Sequence, residues 1–272
     1  MLDKSLGIYI DRSANQSVWD MPDMHAHKSH ELYYLISGHR RYLIGHTIYD
    51  VTPGDLVIIP RSQLHRTVSP RPTGYERYVC NFMEDRIHSF IHDLGRETFE
   101  RLLGCGCVQL PAHVALQVHR DLQQLEQELS HRQEGSNAAA LHLLQDVLLC
   151  ALRHGTPKEP VHGAGADKIQ ELTRYIALNY AQPITLHDAA AMACMESTYF
   201  SRRFKSLTGF GFQEYLTQTR LQAAEQLLRS TRLSVGEIAE QCGFSGANYF
   251  GDVFRRRKKC SPSQYRKTLR DS

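Results

Sequence analysis

Short apolar stretches separated by turn-forming residues fill the first third of the chain. Between residue 5 and about residue 82 they read ELYYLISG, RRYLIGHTIYDV, GDLVIIP, HRTV and YERYVCNF, with Gly, Pro, Asp and Asn between them. Stretches of this length and spacing are typical of β-strands. Because the strands are short and follow one another closely, we predict a small antiparallel sandwich or barrel, followed by a helix over residues 84 to 105.

The spacing of the apolar side chains changes at Val114. They recur at steps of three and four in two runs, on either side of the sequence RQEGSN: Val118, Leu122, Leu125 and Leu129, then Leu141, Leu144, Leu148 and Ala151. This period predicts a helical hairpin with one apolar face. The face either packs onto the predicted sheet or forms the seam between two chains of a dimer, and both alternatives are compatible with two short stripes.

A Gly- and Pro-rich segment, RHGTPKEPVHGAGAD, covers residues 153–167 and is predicted to be a linker. Residues 1–152 before it are predicted to form one domain, and residues 168–272 after it have an almost entirely helical pattern. The predicted fold class is therefore two-domain α+β. An N-terminal antiparallel β-barrel with a helical hairpin precedes an all-α domain.

The all-α domain contains an internal repeat. ITLHDAAAMACMESTYFSRRFKSLTGFGFQEYL matches LSVGEIAEQCGFSGANYFGDVFRRRKKCSPSQYR, with an offset of 49 residues in the first part and 50 in the second, where Phe204 matches Phe254. Each copy predicts a short helix, a tight turn and a second helix, which Ser197 or Ser245 would cap. This is a helix-turn-helix arrangement, present twice. The second helix of such a unit enters the major groove of DNA.

The second helix of each copy is predicted to have one buried face and one polar face. Aromatic side chains at i and i+4 face the small cores: Phe200, Phe204, Phe250 and Phe254. The polar faces carry Thr198, Ser201, Arg202 and Lys205 in the first copy, and Ala247, Asn248, Gly251, Asp252 and Arg255 in the second. A helix over RLQAAEQLLRS, residues 220–230, would join the units rigidly, so that they read adjacent major-groove segments about one DNA turn apart.

The charge of the chain is unevenly distributed. The 272 residues carry a net charge of only +3, but residues 168–272 hold 16 Lys and Arg against 9 Asp and Glu, a net charge of +7, and residues 1–167 have a net charge of −4. One half would therefore attract a polyanion and the other would not. Seven scattered cysteines are consistent with reduced thiols. With neither an apolar membrane-spanning run nor a signal-peptide pattern, the expected location is the cytoplasm.

The repeat resembles the DNA-binding domain of the AraC/XylS family of bacterial transcription regulators. The resemblance rests on FSRRFKSLTGFGFQEYL, on RLQAAEQLL and on VGEIAEQCGFSGANYFGDVFRR with SPSQYR, and it covers about 100 residues from Lys168 to the end. It implies a homodimer that binds double-stranded DNA, contacts RNA polymerase and is not an enzyme. It also implies a transcription activator whose effector is a sugar or a sugar-derived acid.

The resemblance assigns roles to individual residues of both recognition helices. The positions that read bases are Thr198, Ser201 and Arg202 in the first helix and Asn248, Gly251 and Asp252 in the second. The positions that grip phosphates are Lys205 and Arg255, and the basic run that continues through Arg256, Arg257 and Lys258 is expected to add phosphate contacts. Two residues depart from the family pattern. Lys259 stands where glycine is usual, which requires a left-handed cap or a shifted turn, and Asp252 stands where arginine is frequent.

The N-terminal domain carries a group of imidazole and carboxylate side chains. HAHKSHELYYLISG and GDLVIIPRSQLH look like the two cupin motifs and contain His25, His27, Glu31 and His65. His25 and His27 share a strand face, a second hairpin brings His65 opposite them, and Tyr33 points the same way as Glu31. Arg41 on the next strand is a possible partner for a carboxylate or hydroxyl group.

Three interpretations of this group remain open. The polar side chains hydrogen-bond to one another, or they form an effector pocket made of His25, His27, Glu31, Tyr33, Arg41 and His65, or they hold a metal. A metal bound by His25, His27, Glu31 and His65 would be Zn, Ni, Mn or Fe. The same residues in an isolated cupin would suggest a dioxygenase or isomerase. A constitutive architectural DNA-binding protein would need no pocket.

Overall fold

The computed structural model describes residues 7–15, 27–70, 73–131, 133–163 and 165–270. The chain divides into two compact units, residues 1–161 and 162–272. The first unit is rich in β-strands and the second is entirely helical. This confirms the predicted fold class.

Nine strands of the first unit form two antiparallel sheets within the described residues. The strands are β1 (Ile8–Asn15), β2 (His30–Ser37), β3 (Arg40–Ile44), β4 (Thr47–Val51), β5 (Asp55–Ile59), β6 (His65–Val68), β7 (Tyr75–Phe82), β8 (Cys107–Gln109) and β9 (Thr156–Pro157). The larger sheet has the order β1-β7-β2-β5-β8-β9 and the smaller one the order β4-β3-β6. One buried cluster contains Tyr33 and Val57 from the larger sheet with Tyr42 and Ile44 from the smaller. The two sheets therefore face each other across a shared interior.

Helices cover the other face of the larger sheet. They are α1 (His88–Leu94), α2 (Arg96–Leu103), α3 (Ala112–His131) and α4 (Ser136–His154), after a 3-10 turn at Glu84–Ile87. Val118 and Leu122 of α3 and Leu144 and Leu148 of α4 are buried in one cluster with Leu32 of β2. Of the two alternatives for the hairpin's apolar stripe, the structure shows packing on the sheet.

Most of the predicted linker is ordered structure attached to the first unit. Residues 153 and 154 end α4, and β9 pairs with β8. Lys158 forms an ion pair with the buried carboxylate of Asp55, and the amide of Val161 donates to the carbonyl oxygen of Ile48 at 2.8 Å. These cross-connections are non-local, so the Gly and Pro content of the segment does not reveal them.

Seven helices make up the second unit within the described residues. They are α5 (Ala166–Asn179), α6 (Leu186–Met192), α7 (Ser197–Thr208), α8 (Phe212–Ser230), α9 (Val235–Gln241), α10 (Ala247–Lys258) and α11 (Pro262–Arg270). The pairs α6–α7 and α9–α10 are the two predicted helix-turn-helix units, and α8 joins them. Phe200, Phe204, Phe250 and Phe254 are fully buried, as the aromatic spacing predicts.

The predicted serine caps of the recognition helices are wrong. The carboxylate of Glu196 caps α7 by accepting from the amides of Thr198 and Tyr199, at 2.8 and 3.0 Å. Ser197 is already the first helical residue, so its hydroxyl group is past the capping position. Gly246 precedes α10 and makes no side-chain cap. Capping boxes occur instead on the short helices, from Thr185 on α6 and Ser234 on α9.

Lys259 adopts the left-handed conformation that its position requires. It caps α10 with φ of 61°, and its amide donates to the carbonyl oxygen of Arg255 at 2.8 Å. Gly209 ends α7 with φ of 81° and the same bond to Lys205. The second helix-turn-helix thus retains the turn that follows the recognition helix of the first one, although a residue with a Cβ is strained in this conformation.

We expect Lys259→Gly to raise the free energy of unfolding by about 1 kcal/mol, because glycine adopts the left-handed conformation without steric cost. The matched exchange Gly209→Lys should lower it by a similar amount. Urea denaturation followed by circular dichroism measures both. A loss of stability in Lys259→Gly would contradict the assignment of strain to this residue.

Candidate effector pocket and nucleic-acid interface

Three polar side chains converge at one end of the interior between the sheets. Glu31 begins the inner face of β2, His27 lies just before that strand, and His65 begins β6 on the facing sheet. The Nε2 atom of His27 is 3.0 Å from Oε2 of Glu31, and Nε2 of His65 is 3.9 Å from the same oxygen. The potential ligand atoms of all three lie within 4.8 Å of one another. Glu31 and His65 are buried, and His27 is half-buried.

Neighbouring polar groups hold these three side chains in position. Nδ1 of His27 is 2.7 Å from the carbonyl oxygen of Ser29, and Nδ1 of His65 is 2.9 Å from that of Gln63. The side-chain amide of Asn81 donates to Oε2 of Glu31 at 3.1 Å. The two imidazole rings therefore direct their Nε2 atoms toward the carboxylate.

The carboxylate of Glu31 stays ionised in spite of its burial. Burial raises the pKa of Glu31, but the hydrogen bond to His27 and the charge of His65 act in the opposite direction and lower the pKa to about 2. Burial lowers the pKa of His27, yet its bond to Glu31 outweighs that effect and raises it. The negative charge inside the sandwich is thus supported by the two imidazole groups.

The structure brings together three of the four side chains predicted to bind a metal. The fourth, His25, lies outside the described residues, as does the strand predicted to carry it. The prediction that His65 lies opposite His27 is met, since their ring centroids are 5.2 Å apart.

Tyr33 occupies the inner face of β2, where the strand alternation predicts it. Its ring packs edge-on against Tyr42 of the facing sheet, with centroids 4.8 Å apart. The hydroxyl group is buried and has no hydrogen-bond partner among the described residues. Burial raises the pKa of Tyr33 far above its usual value, so the hydroxyl keeps its proton. The interior therefore contains a donor that a polar ligand could satisfy.

Arg41, included in the predicted effector pocket, lies on the face of β3 that points away from the interior. Arg41 forms a bidentate ion pair with Asp50 of the adjacent strand, in which Nε and Nη2 donate to the two carboxylate oxygens at 2.6 and 2.9 Å. Arg40 takes the inner position instead, because Tyr42 and Ile44, two and four residues on, also face the interior. The Arg40 guanidinium is fully buried, lies 4.2 Å from the ring centroid of Tyr75 and donates to the hydroxyl of Thr67 at 3.1 Å.

The second unit presents the predicted DNA-facing positions on the outer sides of α7 and α10. The exposed residues of this set are Thr198, Arg202, Lys205, Asn248, Asp252, Arg255 and Arg256. Gly251 is partly exposed, and so is Ser201, whose hydroxyl donates to the carbonyl oxygen of Ser197 at 2.9 Å. The buried aromatic residues lie on the opposite sides of both helices.

Two of the predicted phosphate-binding residues pair with carboxylates of their own chain. Nζ of Lys258 is 2.7 Å from Glu225 on α8, and the guanidinium of Arg255 is 3.5 Å from Asp252 one turn earlier. The Lys258 pair is partly buried and ties the end of α10 to the joining helix. The Arg255 pair is exposed and weak, so it leaves that guanidinium available to another anion.

Comparison with known families assigns both units. The AraC-like ligand binding domain matches residues 8–144, which is half of the chain, and a helix-turn-helix domain matches residues 189–268. The chain belongs to the AraC family of transcription regulators. It is a DNA-binding regulator with a ligand-binding domain and not an enzyme. Within the described residues, no helix is long and apolar enough to cross a membrane.

Relatives of this AraC-family protein match over most of its length. It is 29% identical over 259 residues to the uncharacterized HTH-type regulator YfiF of Bacillus subtilis, covering 92% of this chain and 80% of the relative. It is 25% identical over 244 residues to the transcriptional activator RhaR of Escherichia coli K12, covering 89% and 86%.

Two solved structures are similar to part or most of the chain. The DNA-binding domain of AdpA in complex with a target DNA is 33% identical, covering 37% of this chain and 91% of that chain with a TM-score of 0.37. ToxT from Vibrio cholerae covers 97% of this chain and 99% of its own, at 12% identity and a TM-score of 0.39.

Two exposed tyrosines on the recognition helices were missed by the sequence reasoning. Tyr199 on α7 is 49% exposed and Tyr249 on α10 is 53% exposed, and they precede the equivalent buried residues Phe200 and Phe250. Their occurrence at matching positions of the repeat, 50 residues apart, is the signal that would have revealed them.

The two helix-turn-helix units of this regulator touch at a junction. Arg220 of α8 donates to the carbonyl oxygens of Tyr180 and Gln182, at 2.7 and 2.8 Å, in the loop before α6. The turn after α9 packs on the same loop at Gly243, where φ is +74° and a Cβ would lie 2.4 Å from the Ala181 carbonyl oxygen. The joining helix and this contact together fix the two recognition helices relative to each other.

Proposed function

We propose that this AraC-family protein is a sequence-specific transcription activator whose DNA binding is controlled by a polar small molecule bound between the two sheets. The observation that carries the proposal is the buried polar lining of that interior. Glu31, Tyr33 and Arg40 all face it, in a region otherwise formed by apolar and aromatic side chains. A few polar groups in an otherwise apolar interior are characteristic of a ligand site.

The chemistry of the lining favours a sugar or a sugar-derived acid. The Tyr33 hydroxyl and the Glu31 carboxylate can bind hydroxyl groups of a ligand. The guanidinium of Arg40 is a donor suited to a carboxylate, and it takes the place that sequence reasoning gave to Arg41. The relative RhaR is named as a transcriptional activator, which supports the same direction of control here.

The two recognition helices supply the proposed sequence specificity. Arg202 is exposed on α7 and is suited to a bidentate contact with guanine, and exposed Asn248 on α10 is suited to adenine. Asp252 can accept from cytosine, and its pairing with Arg255 reduces repulsion from the DNA backbone. Thr198, Ser201 and Gly251 complete the surface that faces the bases.

Phosphate contacts would come from the basic residues at the ends of these helices. Lys205, Arg255, Arg256 and Arg257 are proposed to neutralise backbone charges, which orients the protein without reading sequence. Lys258 would have to exchange its contact with Glu225 for a phosphate, so its contribution is expected to be smaller.

Control by the effector requires a difference in affinity between two states of a homodimer. The stripe of α3 and α4 that packs on the sheet is unavailable for pairing chains, so a dimer would use the remaining outer surface of the hairpin. Effector binding would favour the arrangement in which both DNA-binding units engage their half-sites and RNA polymerase is contacted.

We expect a thermal-shift screen of sugars and sugar acids, run with EDTA present, to find a compound that raises the Tm. A ligand at 100 times its Kd stabilises the folded state by about 2.7 kcal/mol. Tyr33→Phe should weaken that ligand by about tenfold, because it removes one hydrogen-bond donor. The unliganded Tm of this variant should not fall, since the hydroxyl has no partner among the described residues.

Arg41→Ala is the matched control for the screen, because this side chain pairs with Asp50 away from the interior. It should bind the compound like the parent protein. If Tyr33→Phe bound the compound with the affinity of the parent protein, the Tyr33 hydroxyl would not belong to the binding site. A protein that binds DNA but responds to no compound would count against small-molecule control.

For the DNA interface, we expect Arg202→Ala and Arg256→Ala to have different effects on a site selected from random-sequence DNA. Arg202→Ala should lose about 1–3 kcal/mol of discrimination against a site with the contacted guanine replaced. Arg256→Ala should weaken all sequences alike and reduce the slope of log K against log salt by about one. Fluorescence anisotropy at several salt concentrations measures both.

Arg153→Ala provides the control for the loss of one positive charge, because this exposed arginine lies on α4 of the other unit. Its affinity and salt slope should match those of the parent protein. If Arg202→Ala weakened every sequence equally, the assignment of Arg202 to a base contact would be wrong.

A further inference from the structure

The convergence of His27, Glu31 and His65 points to a specific kind of occupant. We infer that these three side chains bind one divalent transition-metal ion of the zinc, nickel or iron(II) class. The inference deepens the proposed function, because the ion would belong to the same interior as the effector. It rests on the orientation of the two imidazole rings, the separation of the three donor atoms and the groups that support them.

The orientation of the rings follows from their backbone contacts. A carbonyl oxygen can only accept a hydrogen bond, so Nδ1 of His27 beside Ser29 and Nδ1 of His65 beside Gln63 both carry hydrogen. In the neutral form of each ring the lone pair is then on Nε2. Both Nε2 atoms are directed at the carboxylate of Glu31, which is itself an acceptor.

A cation placed between three electron-pair donors stabilises their close approach. Nε2 of His27 lies 3.0 Å and Nε2 of His65 lies 3.9 Å from the same carboxylate oxygen of Glu31, so one ion can reach all three groups. A metal engages all three at once. Bonds of about 2.0–2.2 Å place ligand atoms roughly 3–4 Å apart, which is close to the spacing of at most 4.8 Å seen here.

The surroundings are those expected of metal ligands. Each imidazole donates its second N–H to a carbonyl oxygen, and the carboxylate accepts from Asn81. Such outer contacts fix the tautomer and hold the ligands in place. The imidazole and carboxylate donors suit first-row transition metals, whereas calcium and magnesium prefer oxygen donors alone. The His27 side chain is 25% exposed and gives an ion a route of entry.

Three protein ligands leave coordination positions for another molecule. When bound, the ion would supply a Lewis-acidic contact for a hydroxyl or carboxylate oxygen of the effector. Tyr33 and Arg40 face the same interior and would bind other polar atoms of that molecule. Hydroxy acids and sugar acids carry both kinds of group, so the metal narrows the proposed class of effector.

The test uses the full-length, untagged protein, stripped of metal with a chelator and titrated with Co²⁺. We expect one Co²⁺ per chain, detected by visible absorption and displaced by Zn²⁺. Glu31→Gln and His65→Ala should each weaken Co²⁺ binding at least 100-fold. His142→Ala should leave it unchanged, because His142 is exposed and pairs with Asp146 one helical turn away on α4.

Failure of the parent protein to bind Co²⁺ would overturn the inference. Co²⁺ binding by Glu31→Gln and His65→Ala with the affinity of the parent protein would overturn it too. If the buried His65 variant fails to fold, His27→Ala at the half-buried position carries the same test. The result is separate from the fate of the proposed function. An effector that raises the Tm in EDTA, with no further rise when Zn²⁺ is added in excess, would support the sensor and count against a metal contact to the effector.

Discussion

β2 is buried on both of its faces, and its alternation decides what each face of the larger sheet does. Glu31 and Tyr33 point into the interior between the sheets, and Leu32 and Tyr34 point into the core under the helices. A slip of one residue would exchange the two sets, moving a carboxylate into an apolar core and a leucine into the pocket. The pairing of β2 with both β5 and β7 opposes this slip, so the polar group of the interior depends on the same register that holds the helical hairpin.

The two recognition helices of the second unit have the same packing and the same type of C-terminal turn, although their sequences differ. In both copies the recognition helix buries two phenylalanines and ends on a left-handed residue, glycine in one case and Lys259 in the other. The differences lie on the outside, where Arg202 in the first copy contrasts with Asp252 and a basic run in the second. Burial therefore maintains the shared frame, and the exposed positions give the two recognition helices different surface chemistry.

The sequence allowed the elements and the repeat to be predicted, because both leave a periodic signal. The two motifs also place His27, Glu31 and His65 in one group, and the structure brings these side chains together although His27 lies in the loop before β2 and not on the predicted strand. The sequence did not show which residues of β3 face the interior. The short turn before β3 does not determine which of two successive residues points inward, and both candidates, Arg40 and Arg41, are arginines. The boundary between the two units falls within the segment 153–167, but the pairing of β9 and the Lys158 contact depend on distant residues and leave no local signal in the sequence.

The junction at Arg220 and Gly243 has a consequence for the operator. Each added base pair moves a point along B-DNA by about 3.4 Å and rotates it by about 34°, since a turn takes about 10.5 base pairs. Because the loop at residues 180–182 is fixed to the second unit, the two recognition helices cannot rotate independently to follow such a change. Two DNA segments contacted by these helices would therefore have to keep a constant helical phase.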